Sequence, residues 1–215
     1  MRSYHQYCAL AKALDVVGDR WTLLIVRELL VGPRRYGELQ EGLPGIASNL
    51  LAARLRHLED SGVVARTDEG GYELTTWGGH LAESMQALVR WGASLMDVQE
   101  EDDAFQSQWL ALPIETIFGG VNADRPAFVA EIRVGGPPVT LESAHGRVHC
   151  RPGPAAAPDL VVTGPADAII GLLSGRLDRH AAEGQGVSVL GDAETLARLR
   201  RPDWLTGPEV CRAGA

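Results

Sequence analysis

The stretch YGELQEGLPGIASNLLAARLRHLEDSGVVARTDEGGY, residues 36–72, decides the fold of the first half of the chain. Tyr36 to Gln40 predicts a short helix with Tyr36 and Leu39 inward, and Gly42, Pro44 and Gly45 break it. Ser48 is placed to cap a longer helix in which Leu51, Leu55 and Leu58, spaced i, i+4, i+7, face the core. Gly62 ends that helix. Val63 to Thr67 and Gly71 to Leu74 then alternate as two short strands around the tip Asp68-Glu69-Gly70-Gly71. A helix, a turn, a second helix and a hairpin in this order predict a winged helix-turn-helix.

Upstream, Cys8 to Val17 carries a weak helical stripe that stops at Gly18. A further helix holds Trp21, Leu24, Ile25 and Leu29 on one face, with Asp19 as its expected cap, and ends at Gly32-Pro33. Downstream, a helix beginning at Thr75 or Thr76 bears Leu81, Met85, Leu88, Gly92 and Leu95 at alternating spacings of four and three. That stripe is expected to pack against a partner helix, so Leu81, Met85, Leu88 and Leu95 are the dimerisation candidates. The stretch Asp97 to Asp103 includes Asp97, Glu100, Glu101, Asp102 and Asp103, which repel one another. It sets the expected division into a winged domain (1–96), an acidic linker (97–107) and a second domain (108–215).

The second half predicts a helix over Trp109 to Phe118, followed by strands at Ala127 to Val134, Val139 to Ser143 and Arg147 to Arg151 that read as an antiparallel meander. A strand at Leu160 to Thr163, a helix opened by Pro165, a strand at Val187 to Leu190 and a helix from Asp192 to Arg200 complete it. The expected class is α+β: an N-terminal winged helix-turn-helix, then an antiparallel sheet covered by helices. Ile169, Leu172, Leu173, Val187, Val189, Leu196 and Leu199 are the candidates for lining an apolar pocket, and the same residues suit an ordinary core.

A chain of 215 residues with 45% hydrophobic content is long enough for two cores. Its net charge of −8 disfavours a general nucleic-acid coat, which needs a strongly basic surface. Charge is nevertheless uneven. Between Arg20 and Arg66 seven arginines (20, 27, 34, 35, 54, 56, 66) outnumber five acids (28, 38, 41, 59, 60), a local balance of +2. On the helix from Ser48, inward leucines leave Asn49, Ala53 and Arg56 on the opposite side, flanked by Ala52 and His57. Asn and Arg carry the donor and acceptor groups that distinguish base edges in the major groove. Arg34, Arg35, Arg54, Arg66 and Thr67 are placed for backbone or minor-groove contact. Double-stranded DNA is therefore the expected partner.

The segments Tyr7 to Ile25, Gly32-Pro33-Arg34-Arg35-Tyr36-Gly37-Glu38-Leu39, Leu43-Pro44-Gly45-Ile46 and Arg54-Leu55-Arg56-His57-Leu58-Glu59 resemble the HxlR family of bacterial transcription regulators, over residues 5 to about 96. The resemblance implies a homodimeric winged-helix protein on an inverted-repeat operator, with Ser48, Asn49, Leu50 and Arg54 at the recognition-helix contacts. Asp159-Leu160-Val161-Val162, Leu172 to Asp178 and Val187 to Asp192 are similar to the C-terminal part of sterol-carrier-protein-like domains, over about residues 108–202. That likeness implies a curved sheet over an apolar tunnel and hence an apolar small-molecule effector.

Cys8, beside Tyr7 and one turn from Lys12, is the candidate redox thiol, as in some members of the first family. His149 and Cys150 point to opposite faces of a strand, which makes a thiol–imidazole pair awkward. His5 and Cys8 have ligand spacing but lack a second pair, so no metal is expected. No nucleophile–base set or cofactor loop is legible in residues 108–215. The expectation is a non-enzyme without cofactor, placed in the cytoplasm because no signal segment or membrane span is evident.

Overall fold

The computed structural model describes residues 3–96, 102–119 and 126–199. The chain divides into two compact units, residues 1–88 and 89–215. The expected winged domain ended eight residues later, at 96. Asp97, Glu100, Glu101 and Arg200 lie outside the described residues; Asp102 and Asp103 are exposed.

The first unit runs α1 (Ala9–Val17), α2 (Thr22–Leu30), α3 (Tyr36–Glu41), α4 (Ser48–Asp60), β1 (Val64–Arg66), β2 (Tyr72–Leu74), α5 (Thr76–Gly79) and α6 (Leu81–Gly92), the last continuing past the unit boundary. Its core is built from Ile25, Val26 and Leu29 of α2, Leu39 of α3, and Leu51, Leu55 and Leu58 of α4. The leucine spacing of α4 matches the 3.6-residue period, so one face is wholly buried. Gly62, at φ +73, closes α4. Val63 N–H donates to Leu58 and Gly62 N–H to Glu59, the crossed pair of bonds that satisfies the last helical carbonyls. β1 and β2 pair antiparallel, Arg66 opposite Tyr72, and Tyr72 also exchanges both backbone bonds with Arg34.

Two expected caps are corrected. Asp19 does not cap α2, because Trp21 occupies the N-cap position in the left-handed region at φ 78 and Asp19 is engaged elsewhere. Ser48 is the first helical residue of α4, and Ala47 is the N-cap. The long helix expected from Thr75 is interrupted at His80, with Thr75 accepting from Gly78 N–H to cap its first piece.

The second unit contains a 3-10 turn (Ser107–Leu110), α7 (Ala111–Phe118), β3 (Phe128–Arg133), β4 (Val139–Ala144), β5 (Arg147–Pro152), β6 (Leu160–Thr163), α8 (Ala166–Leu173), α9 (Arg179–Gly184), β7 (Ser188–Gly191) and α10 (Ala193–Arg198). The five strands are ordered β5-β4-β3-β6-β7. The sheet is not the antiparallel one expected: β3 and β6 run parallel, Ala130 opposite Leu160 and Ile132 opposite Val162, while the other three pairs are antiparallel. Residues 153–159, after the hairpin β4–β5, carry the chain from the β5 edge across to the far side of β3. On one face Phe128, Ala130, Ile132, Val139, Leu141, Leu160 and Val162 are buried.

The opposite face of β3 buries a carboxylate. Glu131 is 1% exposed and accepts from Ala155 N–H at 2.7 Å and Arg133 Nε at 2.6 Å. Burial pushes its pKa up, but the Ala155 bond and the Arg133 guanidinium outweigh this and hold the carboxyl below its ordinary value. At the sheet edge, Glu115 of α7 accepts from Cys150 N–H at 2.7 Å and contacts His149 Nδ1 at 3.2 Å.

A carboxyl depressed on folding stabilises the protein above its unfolded pKa of about 4.3, and the contribution is lost as pH falls through the folded value. Glu131→Gln is thus expected to flatten the acid limb of thermal stability between about pH 5 and 3. A limb as steep as wild type would show that Glu131 does not carry it.

Candidate nucleic-acid interface

The face of α4 opposite the three leucines carries the exposed side chains of Ser48, Asn49 and Arg56, with Leu50, Ala52 and Ala53 half-buried between them. The small residues at 52 and 53 keep this surface low, so a nucleic-acid groove can approach the backbone. Tyr36 Oη donates to the Ser48 carbonyl at 2.7 Å and Gln40 Nε2 donates to Ser48 Oγ at 2.7 Å, so α3 fixes the first turn of α4. Neither clamp was expected from the sequence. The available signal was that Tyr36 and Gln40 lie four apart, on one face of α3.

The seven basic residues between Arg20 and Arg66 separate into two groups. Arg34, Arg35 and Arg56 have no ion-pair partner among the described residues. Arg27 pairs with Glu28 at 2.8 Å, Arg54 with Asp19 at 2.6 Å and Arg66 with Glu59 at 2.8 Å. Arg20 stacks over Trp21, its guanidinium 5.8 Å from the ring centroid. Arg66 lies also 4.0 Å from the Tyr72 ring centroid. Two expected contact residues are therefore engaged internally. Arg54 reaches back to the α1–α2 turn, its Nε buried with no acceptor among the described residues, and Arg66 folds along α4 instead of extending from the hairpin. Thr67 Oγ1 is likewise used, accepting from Gly71 N–H at 2.9 Å within the tip. His57 Nε2 lies 3.1 Å from the Val16 carbonyl, which turns the ring toward α1.

The turn that receives Arg54 also holds Trp21. A left-handed conformation costs a bulky residue about 1–2 kcal/mol, which the surroundings must offset. The ring lies 3.8 Å from the point that a Cβ on Gly45 would occupy, Gly45 itself standing at φ +85 in the α3–α4 turn. Asp19 thus holds α4 at Arg54, and Trp21 lies near the turn that leads into the helix. Beside them, an open cleft of about 550 Å3 is lined by Tyr4, Leu14, Asp15, Asp19 and Arg54 among others.

On α6, Met85 is buried at 6% exposure, Leu81 is half-buried and Leu88 is 47% exposed, while Leu95, in the 3-10 turn Ala93–Leu95 that follows, is 69% exposed. Trp91, absent from the expected stripe, is exposed at 71%. In the second unit Ile169, Leu172, Leu173, Val187, Leu196 and Leu199 are buried, and Val189 is half-buried. Cys8 is exposed and Cys150 buried.

Helices α2, α3 and α4 followed by a two-stranded hairpin, with α4 outward on one face, make the first unit a winged helix-turn-helix module. The chain belongs to the HxlR-like helix-turn-helix family, whose model matches residues 16–100. It is 39% identical over 90 residues to the uncharacterized HTH-type transcriptional regulator Rv3095 of Mycobacterium tuberculosis, covering 39% of this chain and 56% of that protein. The chain thus spans about half the length of that relative. Against the uncharacterized HTH-type transcriptional regulator YvaP of Bacillus subtilis it is 35% identical over 92 residues, covering 40% of this chain and 85% of YvaP. The crystal structure of quinone-bound YodB from B. subtilis is 34% identical, with 39% of this chain and 94% of that one covered and a TM-score of 0.37.

If Arg54 acts on α4 through Asp19, then Arg54→Ala and Asp19→Asn are expected each to lower the melting temperature, and the double variant to lose little more than either alone. Additive losses would show that the two side chains act independently.

Proposed function

We propose that the protein is a DNA-binding transcription regulator, a repressor, that grips an inverted-repeat operator as a homodimer and answers to an apolar small molecule held by its sterol-carrier-like second half. The observation that carries the DNA-binding reading is the outward face of α4, where Asn49 and Arg56 are exposed in a family-matched helix-turn-helix that also holds Arg34 and Arg35 without an ion-pair partner among the described residues. The local surplus of positive charge in a chain of net −8 favours a confined, salt-sensitive grip. Self-association is supported by Leu88, Trp91 and Leu95, an apolar stripe on and just after α6 that a monomer leaves in water. Effector control rests on the likeness of the second half to sterol-carrier-protein-like domains, and residues 76–96 join the two units in the chain.

Fluorescence anisotropy of the full chain on duplex from the region flanking its own gene tests the reading. Saturable binding that weakens steeply with salt is expected. Arg35→Ala should weaken binding to all sequences alike and reduce the log–log salt slope by about 1, the signature of one lost phosphate contact. Leu88→Glu with Leu95→Glu should convert a dimer to a monomer in sedimentation velocity, and a dimer that persists would refute that interface. A fluorescent fatty acid should bind the full chain and change operator affinity; no change at saturation would remove the effector from the proposal.

A second reading, redox control through Cys8, is favoured by that thiol's exposure. Burial, and then the Glu115 charge, push the Cys150 thiol well above its ordinary pKa, which leaves it protonated and inert at neutral pH. Iodoacetamide should accordingly modify Cys8 and spare Cys150 in the folded protein. Loss of DNA affinity on oxidation that disappears in Cys8→Ser would favour redox control; equal responses would exclude it.

A further inference from the structure

The internal bonds of α4 and its neighbours determine which chemistry remains for a base edge. Three acceptors at the start of α4 each hold an internal donor. Ser48 Oγ accepts from Gln40, the Ser48 carbonyl accepts from Tyr36, and Asn49 Oδ1 accepts from Leu50 N–H at 2.9 Å. The Glu59 carboxylate accepts from Arg66, and Glu38 Oε2 accepts from Arg35 N–H at 2.6 Å. His57 is turned toward Val16. Asp60 is exposed, but it ends the helix 11 residues beyond Asn49, about 16 Å along the axis.

The donors that the outward face of α4 carries are the Ser48 hydroxyl proton, the Asn49 Nδ2 amide and the Arg56 guanidinium, and the segment before α3 adds the guanidinium groups of Arg34 and Arg35. Asn and Arg do not act here as complementary readers of adenine and guanine. To read adenine, Asn49 must present Oδ1 to N6–H as well as Nδ2 to N7, and Oδ1 is turned back onto the helix. An adenine edge opposite Arg56 would set its N6 donor against a guanidinium that has only donors.

We infer that the operator half-site presents guanine, with its paired N7 and O6 acceptors, to both Arg56 and Asn49. This rests on the DNA-binding reading above and adds the base identity. Arg56 takes the two acceptors with its planar fork, and Asn49, seven residues earlier and two turns along the same face, takes a guanine acceptor through Nδ2. The short side chains of Ala52 and Ala53 between them leave room for the intervening base pairs.

Selection of the purified full chain against randomised duplex, followed by anisotropy titrations, tests it. A half-site containing guanine at two positions is expected. Replacing either guanine by 7-deazaguanine, which removes N7 and preserves pairing, should weaken binding by about tenfold. Arg56→Ala, confirmed folded by circular dichroism, should lose sensitivity to 7-deazaguanine at one position and retain it at the other. An enriched site without guanine, or one whose affinity falls with 7-deazaadenine and not 7-deazaguanine, overturns the inference while leaving DNA binding intact. Failure to bind any duplex overturns the DNA-binding reading and this one with it.

Discussion

The three leucines of α4 are the constraint from which the first unit follows. Leu51, Leu55 and Leu58 are each at most 1% exposed, and together they fix the rotation of that helix about its own axis. Turning it by one residue, about 100°, would bring Arg54 or Arg56 toward the core in place of a leucine and strand a charge there. Everything that faces outward on α4 is therefore set by what faces inward. The contacts from Tyr36, Gln40 and Asp19 then limit the remaining freedoms, the height of the helix and its tilt. Those contacts come from segments distant in sequence, so a specific outward surface depends on the whole module being folded.

The second unit is organised by β3, the central strand, whose two faces answer to different rules. Its apolar face runs on into those of β4 and β6, its neighbours in the sheet, and is buried with them. The other face carries Glu131, whose burial is tolerated because a backbone N–H and a guanidinium both reach it. Ala155 is a loop residue, so the carboxylate also anchors the segment that crosses from β5 toward β6. A buried charge here specifies a connection as well as contributing stability.

Most elements could be read in the sequence, because periodicity is a local property. The α4 stripe, the Gly70-Gly71 tip and the alternation at Phe128 to Val134 needed no knowledge of neighbours. The parallel pairing of β3 with β6 was hidden because alternation reports which face is buried and not which strand lies alongside. α9 passed unrecognised although Asp178 caps it, since its six residues carry too short a pattern. At the candidate interface, helical geometry exposed Asn49 and Arg56 correctly. The commitments of Arg54 and Arg66 were not legible: an arginine looks the same in sequence whether it faces DNA or an internal carboxylate, and their partners Asp19 and Glu59 are decided by tertiary placement.

The Glu115 bond to Cys150 N–H also acts at the border of the sheet. β5 is an edge strand, and edge strands offer unpaired amide groups to any extended segment that approaches. At Cys150 that group is already bonded, and the neighbouring space is occupied by a carboxylate. A second molecule adding itself as a sixth strand would have to expel a hydrogen-bonded charge from α7 before its own ladder could form. The helix before the sheet thus guards one border against runaway strand addition, a safeguard of solubility written into a single side chain.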